Sequence, residues 1–473
     1  MPQKKLLFSG KLFPFQEDVL KWTHSVDRGI VGLEMGLGKT VITLAMICQK
    51  NYRRTVIALP LQIIEQWKNS LLKFTNLKEK DIAIYQGPKR KSLNLLRYRV
   101  ILTTYDVIRM DMPKEESVLA GAQEFFDCVI LDEAHKIRNK KTQTYRSCDS
   151  LSKDIDAKWL LTGTTIHNKF SDFLTLCEFL KVPDANLATF RDVDKSNAWK
   201  KKYYYRLTKA QSGLDLPEKS IHEHWLKFDE AHADDYQTLL EETKEMYDDY
   251  LAHPTQVKFN FLITKILRLR QCCNHIDAHL DPAHYRLEKN RHDGTTSAKF
   301  TKIIEIINQS PKDDKIIIFS QWSHSLDLLA KQLDWAWIDG YDSDQPMYLQ
   351  YNGTMDIGEK NQVLEDFRDG PQKVLLITLT SGGVGLDMSF ANHIILMDSW
   401  WNPALEEQAI DRVYRIGQKK KVDVHRLYMT DTIEHWMEKM KEEKRKVDLQ
   451  FHKENLVYMI DQMFLKKILH QYV

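Results

Sequence analysis

Gly32–Thr40, GLEMGLGKT, follows the short apolar pair Ile30–Val31 and runs into VITLAMICQ, where Val41, Leu44, Ala45 and Cys48 recur at helical spacing. A glycine-dense turn that opens a helix presents backbone N–H groups and the positive end of the helix dipole to phosphate oxygens. The backbone of Leu33, Glu34, Met35, Gly36, Leu37 and Gly38 reads as a cradle for ATP, with Lys39 reaching the terminal phosphates and the Thr40 hydroxyl ligating Mg2+. The pattern G-x-x-x-x-G-K-[ST] has its first glycine where this chain has Leu33. A Gly-Lys-Thr turn beside a core helix is the bland alternative, so the residues downstream decide.

Downstream, short apolar runs alternate with helical patterns: TVIAL at 55–59, VILTT at 100–104 and CVILD at 128–132. Strand alternating with helix predicts a doubly wound parallel α/β sheet, whose ligands sit beyond the carboxyl ends of the strands. CVILDEAH ends in Asp132 and Glu133 at such an exit. There Asp132 can hold Mg2+ and Glu133 can polarise an attacking water. KWLLTGTTIHN at 158–168 is a further strand running into Thr162, Gly163 and Thr164, either a sensor of nucleotide state or ordinary turn chemistry.

The 473 residues allow two or three domains. With 68 basic against 66 acidic residues, no global field draws the chain to nucleic acid, so any such binding needs local patches. Six cysteines without a C-x-x-C pair, and no signal-like apolar stretch after Met1, predict an intracellular protein, with nucleus, cytoplasm and virion left open. Runs such as VLLITL are too short to span a bilayer, so no membrane partner is expected.

The pattern divides the chain into an N-terminal α/β lobe (1–212), a helical insertion (213–292), a second α/β lobe (293–430) and a helical extension (431–473). Phe259, Leu262, Ile263, Ile266 and Leu267 form an amphipathic stripe in the insertion. The LRQCCNH run at 269–275 fits no standard zinc spacing and reads as buried cysteines on a helix. The second lobe shows strands at 315–319, 374–378, 393–397 and 424–427 without a second GKT. TSGGVGLD at 380–387 suits close backbone approach to a phosphate. QAIDRVYRIGQ at 408–418 sets Arg412 and Arg415 three apart, on one face if that segment is helical. Two such guanidiniums can neutralise charge developing on a γ-phosphate, a contribution of roughly 10³–10⁵ in rate.

Taken in order, these motifs resemble the SWI/SNF-like family of DNA-dependent ATPases, the double-stranded-DNA translocases of the helicase-like superfamily two. LFPFQ resembles the Q motif, EMGLGKT motif I, ALPLQIIEQWKNSL motif Ia, ILTTYD motif Ib, VILDEAHKIRN motif II and LLTGTTIHN motif III. IIIFSQW, LTSGGVGLDMSFANHIILMDSWWNP and EEQAIDRVYRIGQ are similar to motifs IV, V and VI. WWNPALEEQAIDR and LRLRQCCNH lean toward the repair and transcription-termination subgroup. The resemblance implies two RecA-like lobes. It implies that Gln16 contacts adenine, that Gly383 and Gly385 line the cleft, and that Arg412 and Arg415 are fingers on a helix positioned by Gln408 and Asp411. Trp401 is similar to the family's tryptophan near the lobe interface. Leu33 stands where the family has Asp, Thr165 where motif III has Pro, and His167 where it has Gln. Chromatin remodelling does not follow, because the modules that accompany it in other members are not readable.

The expected activity is therefore ATP-driven movement along double-stranded DNA, gripped through its phosphate backbone without sequence preference, with a DNA-bound protein such as a polymerase as a partner to displace. Candidate grips are Lys136, Arg138, Lys140 and Lys141, and Lys419–Lys421. Two rivals stay open: a strand-separating helicase, and a nucleotide-regulated binding module without productive hydrolysis.

Overall fold

The computed structural model describes residues 5–163, 170–280, 297–335, 347–379, 386–400, 403–439 and 441–442. Two compact units follow one another along the chain, the first reaching Asp215 and the second starting at Leu216.

The first unit carries seven strands: β1 (Arg28–Leu33), β2 (Thr55–Leu59), β3 (Ile82–Tyr85), β4 (Val100–Thr104), β5 (Cys128–Asp132), β6 (Ala157–Leu161) and β7 (Tyr204–Leu207). Every pairing is parallel, in the order β3-β4-β2-β5-β6-β1-β7. All residues of β2, β4, β5 and β6 are buried, as a sheet covered by helices on both faces requires. Ile30, Val56, Ile101, Val129 and Leu160 sit in one apolar cluster with residues of the covering helices.

The second unit carries β8 (Lys219–Leu226), β9 (Ile316–Ser320), β10 (Tyr348–Tyr351), β11 (Val374–Thr378), β12 (His393–Leu396) and β13 (Val422–Met429), again parallel throughout, in the order β10-β11-β9-β12-β13-β8. Phe300, Ile318, Leu376, Ile395 and Leu427 share its core. The doubly wound α/β class expected for both lobes is the observed one.

The stretch 213–292 is not a separate helical insertion. β8 lies within it and pairs with β13 from Lys219↔Val422 to Leu226↔Met429. The helices Glu230–Ala252 and Gln256–Cys272 then pack Leu239, Leu262 and Ile266 against Met429, Ile433 and Met437. Shared backbone pairing and a shared apolar core make 216–280, and the start of the expected extension at 431, part of the second unit. Within Gln256–Cys272 the buried face is Leu262, Ile266, Leu269, Arg270 and Cys272, shifted toward the C-terminus from the predicted stripe. Cys272 and Cys273 are buried, as read. No helix among the described residues is long and apolar enough to cross a membrane.

Candidate active site

β5, β6 and β1 are neighbours in a parallel sheet, so the acidic pair, the Thr162–Gly163 turn and the glycine loop leave the same sheet edge side by side. The helix Lys39–Lys50 begins directly after Gly38, whose φ is +77°, and Gly36 has φ +83°. Side chains avoid that region, and both positions are glycine. Leu33 is still strand, paired with Leu207 and fully buried, so the first glycine of the pattern is not needed there.

Glu34 faces the sheet edge: its N–H donates to the Leu207 carbonyl at 2.9 Å and its carboxylate accepts from the Lys209 N–H at 2.8 Å. Met35 and Leu37 bury their side chains. What the loop has for a ligand is its backbone, with Lys39 and Thr40 in the first helical turn. Lys39 Nζ donates to the Leu33 carbonyl at 2.9 Å. A Cβ at Gly163 would lie 2.6 Å from Met35 Cγ and 3.5 Å from Lys39 Nζ, so the β6 exit touches the loop. Gln16 is buried in the first turn of the helix Pro14–Ser25. Its Oε1 accepts from the Phe13 N–H at 3.0 Å and its Nε2 donates to the Leu37 carbonyl at 3.1 Å. The amide assigned to adenine thus ties that helix to the phosphate loop.

Asp132 ends β5 with its carboxylate buried and held by two donors. The Trp67 indole N–H reaches Oδ2 at 2.9 Å and the Glu133 N–H reaches Oδ1 at 2.9 Å, while the Tyr105 hydroxyl donates to the Asp132 carbonyl at 2.6 Å. Glu133 adopts the left-handed conformation, φ +53°, uncommon outside glycine, and its Oε2 lies 3.3 Å from His135 Nδ1. Burial, and after it the charge of Glu133, hold the Asp132 carboxyl above its usual range, opposed by Lys39 and the Trp67 bond. Two buried acids of which one is disfavoured as an anion fit a divalent cation: the Asp132 carboxylate and the Thr40 hydroxyl are hard oxygen donors of the kind Mg2+ takes.

In the second unit Gln408, Asp411 and Arg412 are buried in the helix Pro403–Val413, and the Arg412 carbonyl accepts from the Met388 N–H at 3.0 Å. That helix stops at Val413. Arg415 lies beyond it with Nε 3.8 Å from Asp387 Oδ1, so the two arginines do not share one helical face. The break is fixed by Gln418, whose amide donates to the Ala391 and Val413 carbonyls at 2.7 and 3.2 Å. Gly383, Gly385, Thr164, Thr165, His167 and Trp401 lie outside the described residues.

The basic runs differ in how they are engaged. Lys136 and Lys141 are exposed, whereas Lys140 pairs with Glu178. Lys420 binds Asp314 at 2.6 Å, and Lys421 lies 3.5 Å from Glu218 and 3.6 Å from Asp423. Two residues to which the sequence motifs gave no role touch Asp132 directly, Trp67 and Tyr105. Their signal was position: Trp67 lies in the helix that follows β2, the neighbour of β5, and Tyr105 opens the helix that follows β4, one strand further out.

Models of two families cover most of the chain: the SNF2-related domain matches residues 15–278 and the helicase conserved C-terminal domain matches 298–417. A probable global transactivator of Orgyia pseudotsugata multicapsid polyhedrosis virus is 28% identical over 93% of this chain and 91% of its own. Transcription termination factor 2 of Drosophila melanogaster is 27% identical over 92% of this chain, which spans 56% of that protein. The putative ATP-dependent helicase/translocase YwqA of Bacillus subtilis is 27% identical, with 94% of this chain and 49% of its own covered. Apart from the viral relative, then, the chain spans about half the length of these proteins. A solved SWI2/SNF2 ATPase core of Sulfolobus solfataricus in complex with dsDNA is 24% identical, covers 94% of both chains and has a TM-score of 0.41.

Proposed function

This chain belongs to the SNF2-related family of DNA-dependent ATPases, and from that premise we propose that it is an ATP- and Mg2+-driven translocase on double-stranded DNA. The observation that carries the reading is the convergence of the glycine loop with Lys39, the Gly163 turn and Asp132–Glu133 on three adjacent strand exits. In that arrangement Lys39 exchanges the Leu33 carbonyl for terminal phosphate oxygens, and the loop backbone holds the rest of the triphosphate. Bound Mg2+ would supply charge neutralisation on those oxygens, held by Asp132 and Thr40. Glu133 orients the attacking water.

We assign Arg412 and Arg415 the neutralisation of charge on the departing γ-phosphate. They belong to the second unit and the cradle to the first, and stepping along the duplex is what we propose that turnover drives. Lys136, Lys141 and Lys419 are exposed candidates for phosphate-backbone contact, which makes grip steeply salt-dependent. Displacement of a DNA-bound protein such as a polymerase is the work we propose for the motor.

The test is phosphate release with duplex DNA, single-stranded DNA or RNA, with Lys39→Ala as control. We expect stimulation by duplex and near-complete loss in the variant. Turnover that ignores polynucleotide would sink the motor. Displacement of a triplex third strand, without release of a labelled duplex strand, separates translocation from unwinding.

A further inference from the structure

Trp67 belongs to the helix Ile64–Phe74, which follows β2, and β2 is the hydrogen-bonded neighbour of β5 with Ala58 beside Leu131. The helix therefore starts over the exit of the acidic strand. The Trp67 side chain is 1% exposed, and its Nε1 lies 2.9 Å from Asp132 Oδ2, a contact buried on both sides and 65 residues apart in sequence. A buried indole N–H needs an acceptor, and a buried carboxylate needs donors. Packing alone is satisfied by any aromatic ring; this contact uses the one polar atom the indole has. The Glu133 N–H holds the other oxygen, so each carboxylate oxygen carries one donor, and rotating the carboxylate would break both bonds. Tyr105, from the exit of β4, fixes the backbone of the same residue.

We propose that Trp67 is a positioning residue for the divalent-cation site: its N–H holds the Asp132 carboxylate in the orientation that receives the Mg2+ accompanying the nucleotide. The assignment rests on the ATPase reading and adds to it a residue that touches neither nucleotide nor metal. Outer partners of this kind typically alter metal affinity by about 10- to 100-fold.

The experiment is equilibrium binding of a fluorescent ADP analogue to the full chain, in EDTA and in Mg2+, for the parent and Trp67→Phe. The parent should gain affinity on adding Mg2+. Trp67→Phe should lose about tenfold or more of that gain, with its metal-free affinity within about twofold of the parent's, since nothing in the phosphate loop has changed. In an Asp132→Ala background the Phe substitution should have no further effect. Benzothienylalanine incorporated at position 67, which keeps the bicyclic shape and replaces only the N–H, should behave like Trp67→Phe and stands in for it if the Phe variant does not fold. A full Mg2+ gain in either variant overturns the assignment while leaving the ATPase reading intact. A parent that binds nucleotide with no Mg2+ gain overturns both.

Discussion

Two constraints meet at Gly38. Its φ of +77° is left-handed, and a Cβ built there would lie 2.6 Å from Gln16 Nε2, the atom that bonds the Leu37 carbonyl. Gly38→Ala should therefore cost about 1–2 kcal/mol in backbone strain and, besides, push the Gln16 amide off the loop. Nucleotide affinity, read by titration calorimetry, should fall by about tenfold or more, since 1.4 kcal/mol is a factor of ten. Adding Gln16→Ala to Gly38→Ala removes the clash and leaves the strain, so it should restore only part of the loss. A Gly38→Ala protein that binds like its parent would contradict the loop geometry. Residues of this kind differ in how far they are readable in advance. Lys39, Gly38 and Asp132 stand out because their chemistry depends on spacing along a few residues of chain. The bonds of Gln16 to Leu37 and of Trp67 to Asp132 join positions 21 and 65 residues apart, and nothing local announces them.

Among elements, the strands foreseen from the sequence are central ones. Those not foreseen, β3, β7, β8 and β10, are the four edges of the two sheets. A parallel strand buried on both faces is apolar for most of its length, which is why VILTT and CVILD are visible as runs. An edge strand meets solvent: β8 alternates half-buried and exposed residues, and β7 has no fully buried one. Polar alternation in KSIHEHWL therefore resembles loop or helix until its partner is known. The same effect hid the tie between the stretch before 292 and the second sheet. That tie also runs through Lys299, fully buried, whose Nζ donates to Glu434 Oε1 and the Met397 carbonyl at 2.8 Å each and to Asn274 Oδ1 at 3.1 Å. Lys299→Met should destabilise the second unit by about 3–5 kcal/mol, because it leaves the Glu434 carboxylate buried without its cation. Lys299→Met with Glu434→Leu should recover most of this. Urea unfolding measures both, and equal midpoints for parent and single variant would show the pair contributes nothing.

At the scale of the whole molecule the two-lobe plan was legible because each lobe repeats strand and helix, while the expected insertion and the start of the expected extension join the second unit, which begins at Leu216. The units differ in how they should respond to acid. In the second, His232 is buried with Nε2 2.6 Å from the Cys272 carbonyl, and burial lowers its pKa from 6.5 to about 4. His425 stacks between His222 and His393 at 4.9 and 6.0 Å, with His224 Nε2 3.1 Å from its Nδ1 and Asp423 on the same strand. Burial first, then the charges of His222, His224 and His393, lower the His425 pKa to about 3 against the opposing charge of Asp423. Both rings are neutral in the folded unit and take up protons readily only when it unfolds. Their contribution is thus complete above pH 6.5 and is lost as pH falls toward about 4, through excess proton binding by the unfolded chain. A fully buried histidine gives at most about 1.4 kcal/mol per pH unit in that window. Urea midpoints for the second unit should be level between about pH 8 and 7 and fall below 6.5, with a slope of about two protons from this pair and a further share from His224, His279 and His324, whose pKa values burial also lowers. His425→Phe, which keeps a ring in the stack, should remove about one of those protons. A midpoint that stays level or rises on acidification would mean these histidines are charged in the folded protein, and the packing of the stack described here would then be wrong.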